Sequence, residues 1–190
     1  VDNEKTFEYY SSIFLLNNDK KSASIDKINL DINSDMTSDK LDINKLSNIK
    51  NIISNDMFSY YSDWVESEYP YYSSIFRYGI DYLSDNVTSI NRYYYLYIGG
   101  AHGIHGYVRK VYSLSDGKRL RIEDILINVN DSNLINKVKE KLLLIADEES
   151  YHNLDELHLQ DNNFYITSKG LIFTWEIYEI APYSMGNIEV

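Results

Sequence analysis

The sequence predicts an α+β fold: an antiparallel β-sheet meander with two inserted amphipathic helices packed on it. Three observations predict it. Period-two alternation of apolar residues recurs in blocks, three- and four-residue spacing appears in two long stretches, and turn-forming groups separate the strands without a regular strand-helix alternation. The 190 residues, 44 % of them hydrophobic, suffice for one good core or two small ones, and length alone favours a single folding unit. Within it, residues 1–98 read as an N-terminal module of strands and a long helix. Residues 99–190 read as a C-terminal module with a glycine-rich loop, a helix and a terminal hairpin.

The elements follow in order. Residues 7–16, FEYYSSIFLL, are aromatic and β-branched, as in a strand covered on both faces. Over 24–32, Ile28, Leu30 and Ile32 alternate with Lys27, Asn29 and Asp31, the pattern of a half-buried strand. Several cap candidates lie in TSDKLDINKL. Behind them Leu46, Ile49, Ile53, Met57, Phe58, Tyr61 and Trp64 predict an amphipathic helix over about 43–66, stopped before Pro70. Phe76, Tyr78, Ile80 and Tyr82 then alternate with their neighbours up to the turn-forming SDN. Residues 88–98 alternate again, so the two strands predict a hairpin. There Tyr93, Tyr95 and Tyr97 share one face, and Tyr94, Leu96 and Ile98 the other.

A further strand is expected over 105–114, closed by SLSDGK with its Asp116-Gly117 turn signal. RIEDIL reads as a short helix or a last turn of strand. NDSNLINKVKEKLLLIADEES predicts the second helix, capped by Asp131 or Ser132, with Leu134, Ile135, Val138, Leu142 and Ile145 as its apolar stripe. The C-terminus predicts a strand, a Lys169-Gly170 turn and a long strand whose Leu171, Phe173, Trp175 and Ile177 line one face.

Charge narrows the classes of function. With 29 acidic against 18 basic residues the formal charge is −11, so nucleic-acid backbones and anionic membranes are repelled and a cationic partner is attracted. No apolar run approaches the roughly 18 residues that span a bilayer. The chain therefore reads as soluble, with membrane association only through an N-terminal anchor absent from this sequence. The absence of cysteine excludes disulfides, thiolate nucleophiles and cysteine-ligated zinc.

The chemical candidates concentrate in YYYLYIGGAHGIHGYVRK, residues 93–110. His102 and His105 form an H-x-x-H pair, but on extended backbone an odd spacing sends the two rings to opposite faces, so no metal site is expected. No G-x-S-x-G elbow supports a serine hydrolase. Glu176 with Glu179, and Glu123 with Asp124, are too close along the chain to face each other across a sugar. GGAHG lacks the G-x-G-x-x-G spacing and opens no helix. Its glycines read as a bulged strand connection, with His102 hydrogen-bonding to the loop. Neither catalytic residue nor cofactor is expected. Tyr93, Tyr95, Tyr97, Gly99, Gly100, His102, Gly103 and His105 form the candidate binding surface, because tyrosine supplies rigid amphipathic contact area.

Three motifs together carry a resemblance: YIGGAHGIHGYVRKVYSLSDGKRLRIEDIL, the FYITSKGLIF strand pair, and YEIAPY with the glycine after it. They resemble the extracytoplasmic domain of lysozyme-sensing anti-sigma factors of the RsiV type, also found beside the catalytic domain of some peptidoglycan deacetylases. Residues 20–98 are similar to the smaller module that precedes it. The resemblance implies an exported α+β domain, often a lipoprotein, that binds rather than catalyses, with lysozyme or a cell-wall component such as peptidoglycan as partner. Two other readings stay open, a glycan-binding module stacking sugars on Tyr93, Tyr95 and Tyr97, and a hydrolase using the His102 loop.

Overall fold

The protein's structure, a computed structural model, describes residues 5–34, 46–152, 154–161 and 164–190. It is a mixed α+β fold whose larger sheet has the order β1-β2-β3-β4-β5. These strands are β1 Thr6–Tyr10, β2 Tyr71–Leu83, β3 Val87–Tyr97, β4 Ile104–Ser113 and β5 Arg119–Leu120. A smaller sheet consists of β6 Phe164–Thr167, β7 Gly170–Trp175 and β8 Ile188–Glu189. The helices are α1 Ala23–Ser34, α2 Leu46–Val65, the single-turn α3 Ile122–Ile125, and α4 Ser132–Leu143. The chain divides into two units. The first is Val1–Gly79, Arg92–His105 and Leu114–Lys118, and the second is Ile80–Asn91, Gly106–Ser113 and Arg119–Val190.

The first unit corrects the expectation most. Residues 24–32 are not a strand but lie within α1, whose buried positions are Ser24, Ile28, Asn29, Ile32 and Asn33. That spacing is helical, and Leu30, an apparent core residue in the strand reading, is exposed. Two buried asparagines conceal the period. The Asn29 side chain accepts from Leu16 N at 2.7 Å and donates to Leu16 O at 3.0 Å. Asn33 donates to Phe14 O and to Asn29 O, both at 2.8 Å. These amides satisfy the backbone of 14–16, which is therefore irregular, so β1 ends at Tyr10 rather than continuing to 16. β1 also departs from an antiparallel meander, since it pairs parallel with β2 from Thr6↔Tyr71 to Tyr10↔Ile75.

Asn33→Ala is expected to cost about 1–3 kcal/mol, because it removes the hydrogen bonds to the part-buried backbone of Phe14 and to Asn29 O. The drop in the urea unfolding midpoint checks it. Asn33→Leu should be no better, since added apolar volume restores no hydrogen bond.

α2 matches the expected helix, although its expected start at 43–45 lies outside the described residues. Its inward face is Ile53, Asp56, Met57, Tyr60 and Trp64, with Phe58 turned outward and Tyr61 at the edge, its ring 5.3 Å from Phe7. Against that face packs Phe7, stacked on Tyr72 at 4.8 Å and 5.5 Å from Trp64. Tyr60 lies 6.1 Å from Tyr72. The packing on α2 is thus largely aromatic, while α1 contributes the aliphatic Ile28 and Ile32 to the same unit's core.

The second unit has a mixed core of Trp175, Phe164, Phe173, Leu142, Val138 and Ile122, among others. α4 starts where expected, with the Asp131 carboxylate accepting from Leu134 N at 3.0 Å. Ile145 falls outside the buried stripe and is exposed. The two-residue turn between β6 and β7 is Ser168-Lys169, with Thr167 paired to Gly170. β7 is shorter than predicted. It stops at Trp175 because Glu176 N donates to the Glu179 carboxylate at 2.9 Å and Glu179 N donates to Glu176 O at 3.0 Å, closing a turn through Tyr178 at φ +70°. Ile177 is still buried, beyond the strand's end.

A charged group sits inside this unit. Arg109, buried on β4, donates to Glu189 at 2.6 Å and to Thr174 Oγ1 at 3.3 Å, with its Nε 3.6 Å from Asp81. Its guanidinium stands over the rings of Tyr107 at 4.5 Å and Tyr165 at 4.3 Å. Tyr165 donates to the other oxygen of Glu189 at 2.9 Å, and burial, reinforced by that carboxylate, pushes its pKa up to about 12.

Candidate functional site

The concave site lies in the first unit, at the C-terminal end of α2. A groove of about 290 Å³ is lined by Tyr60, Asp63, Trp64, Ser67, Tyr69, Tyr72, Leu96 and Ile98. Each wall has a local cause. Trp64 follows Tyr60 by four residues, so both fall on one side of α2. The helix end is closed by Ser67, whose N and Oγ donate to Trp64 O at 2.9 and 2.7 Å. Pro70 leads into β2, and Tyr72 faces α2 from there. Leu96 comes from the face of β3 opposite Tyr93, Tyr95 and Tyr97, and Ile98 follows just beyond the strand's end.

Tyr69, half-exposed, forms the outer wall against Gly99. A Cβ on Gly99 would lie 2.2 to 2.7 Å from the Tyr69 ring carbons, and the residue sits at φ +105°. Only glycine lets that ring rest on the backbone there. The first glycine of GGAHG therefore serves the groove by seating its wall.

The electrostatics of this corner are negative. Asp63, Glu66 and Glu68 are exposed around the helix end, where the backbone dipole adds its own negative pole. Lys5 already responds to it. Its ammonium donates to Val65 O at 3.1 Å and Ser67 O at 2.8 Å and stands 5.4 Å from the Trp64 ring centre. The hydroxyls of Tyr60 and Tyr72 stay protonated. Burial raises Tyr72 well above the usual range, and Tyr60 is raised by burial first and by the Asp56 charge second, with Arg92 opposing.

The residues singled out from sequence lie beside this groove rather than in it. Tyr93, Tyr95 and Tyr97 are half-buried. Tyr95 rests its ring on Gly103, and Tyr97 packs on Tyr71 at 5.8 Å and donates to Gly100 O at 2.9 Å. His102 is exposed, with its Nδ1 3.3 Å from Gly103 O, and His105 is half-buried. Among the described residues no group of three or more His, Asp or Glu side chains is placed to hold a metal ion. Nor is any described helix long and apolar enough to cross a membrane. Glu176, one of the carboxylates considered for glycoside chemistry, accepts from Tyr107 N at 3.0 Å. Sequence reading missed Tyr60, Tyr69 and Tyr72 as site residues and took Trp64 only as core. Their signal was the aromatic density of FSYYSDWVESEYPYY, which joins a helix end directly to a strand.

Residues 123–190 match the family model described as a protein of unknown function, DUF3298. Among solved structures, a DUF3298 family member from Bacteroides fragilis superposes with a TM-score of 0.75 at 19 % identity, over 93 % of this chain and 76 % of that one. A DUF3298 family protein from Pseudomonas aeruginosa gives 0.54 at 22 % identity, over 70 % and 63 %. At such identities the likeness speaks for the fold alone. No curated protein matches the chain.

Proposed function

We propose that this chain is an exported, non-catalytic module that binds a cationic protein, with a lysozyme as the first candidate partner. The observation that carries the reading is the aromatic groove set among Asp63, Glu66 and Glu68 in a chain of net charge −11. Rigid rings supply contact area at low entropic cost, and the surrounding charge steers a basic partner to them. The lysozyme candidate and the extracytoplasmic, lipid-anchored setting rest on the motif resemblance. Calorimetric titration with a basic lysozyme tests it. Binding is expected to persist from low to physiological salt, whereas a signal that vanishes with salt reports opposite charges only and sinks the reading.

A glycan-binding role is the second reading, favoured by the half-exposed Tyr69 ring at the mouth of the groove. Retention on insoluble peptidoglycan that is lost in Tyr69→Ala would put it first. On the non-catalytic reading, a muropeptide assay of the wild type shows no turnover; turnover abolished by His102→Ala would revive the hydrolase.

A further inference from the structure

We propose that the α2 groove receives one cationic side chain, an arginine or lysine, of the partner protein; this rests on the reading that the module binds a basic protein. Four rings line the groove, from Tyr60, Trp64, Tyr69 and Tyr72, together with the aliphatic Leu96 and Ile98 and the single carboxylate of Asp63. An aliphatic stem with a charged head fits that lining. The methylenes of arginine or lysine cover Leu96 and Ile98 while the head meets the negative faces of the rings and Asp63. A neutral apolar anchor would fill the same walls but gain nothing from Asp63. Beside the groove, outside its lining, Lys5 shows the same chemistry, with its ammonium over Trp64 and on the carbonyls of Val65 and Ser67. Those carbonyls lie at the negative pole of α2.

The test titrates the full chain with n-butylguanidinium and, separately, with neutral n-butylurea, following the backbone amides of Ile98 and Gly99 and the Trp64 indole N–H by NMR. The cation is expected to shift these signals saturably and to bind about tenfold more tightly than the urea. Asp63→Asn should narrow that difference, and Tyr69→Ala, a change at a half-exposed residue, should abolish the response. Equal response to both probes, or none to either, overturns the proposal. Lysozyme titrations of the same variants separate it from the parent reading. If lysozyme binds wild type, Asp63→Asn and Tyr69→Ala alike, the groove proposal falls and the binding function stands. If the guanidinium binds and no lysozyme does, the groove's cation preference stands and the lysozyme candidate falls.

Discussion

Arg109→Ala is expected to lower unfolding free energy by about 3–5 kcal/mol, the cost of breaking a buried ion pair from one side. The substitution removes the cation but leaves Asp81, with Asn91 at 2.7 Å as its hydrogen-bond donor. It also strips Tyr107 and Tyr165 of the guanidinium between them. Glu189, more exposed, loses less, because water replaces part of the interaction. The deficit should depend on pH. The Asp81 carboxyl is held above its ordinary range chiefly by burial, against the lowering effects of Asn91 and Arg109. A carboxyl raised in the folded state binds protons more tightly there than in the unfolded chain, so its contribution improves as pH falls and worsens as pH rises. Removing Arg109 takes away a lowering influence and widens that window. Urea denaturation of wild type and variant should therefore show the largest gap near pH 7, shrinking as pH is lowered towards about 4. A gap independent of pH would mean that Arg109 acts through packing alone.

Gly117→Ala is expected to cost about 2–4 kcal/mol, from left-handed backbone strain together with overpacking. Gly117 sits at φ +71°, and a Cβ there would lie 2.4 Å from the Ser24 carbonyl oxygen and 3.0 Å from Lys27 Cβ. The first contact is with helix backbone, held by Ser24 Oγ donating to Leu114 O at 2.8 Å, so it yields little. Gly117→Asn separates the two causes, since asparagine tolerates left-handed angles but not the clash. It should remain destabilised by most of the same amount. Gly100, at φ +95° with open space around it, is the control, and Gly100→Ala should cost about 1 kcal/mol of backbone strain alone. Thermal unfolding of the three variants checks the ranking. Equal effects at Gly100 and Gly117 would dismiss the contact with α1.

The Asp116-Gly117 pair shows how far sequence reading reaches. Its turn was legible because the chemistry is local: aspartate bonds backbone nearby, and glycine accepts a positive φ. That the turn presses on α1, ninety residues away, was not legible, because nothing in DGK encodes its neighbour. α1 failed for a related reason. Asn29 and Asn33 look like a polar face, and only the backbone of 14–16 that they satisfy makes them interior residues. The groove stands between these cases. The aromatic face of α2 and the alternation of β3 were both readable, but the surface expected from the sequence lies on the tyrosine face of β3, beside the groove rather than in it. Tyr93, Tyr95 and Tyr97 outweighed Leu96 and Ile98 in apparent chemistry, and no local signal tells which face α2 approaches.

By itself the sequence determined the α+β class, the amphipathic α2 and α4, the hairpin of β2 and β3, and a charge suited to cationic partners. Each is a property of periodicity, turn chemistry or summed charge, which neighbours along the chain set. Tertiary structure alone decided the helical state of 23–34, the parallel pairing of β1, the burial of Arg109 among two carboxylates, and the groove at the end of α2. Those depend on which distant groups meet, since a buried amide, a buried guanidinium or an aromatic wall is stable only when its partners arrive from elsewhere in the chain.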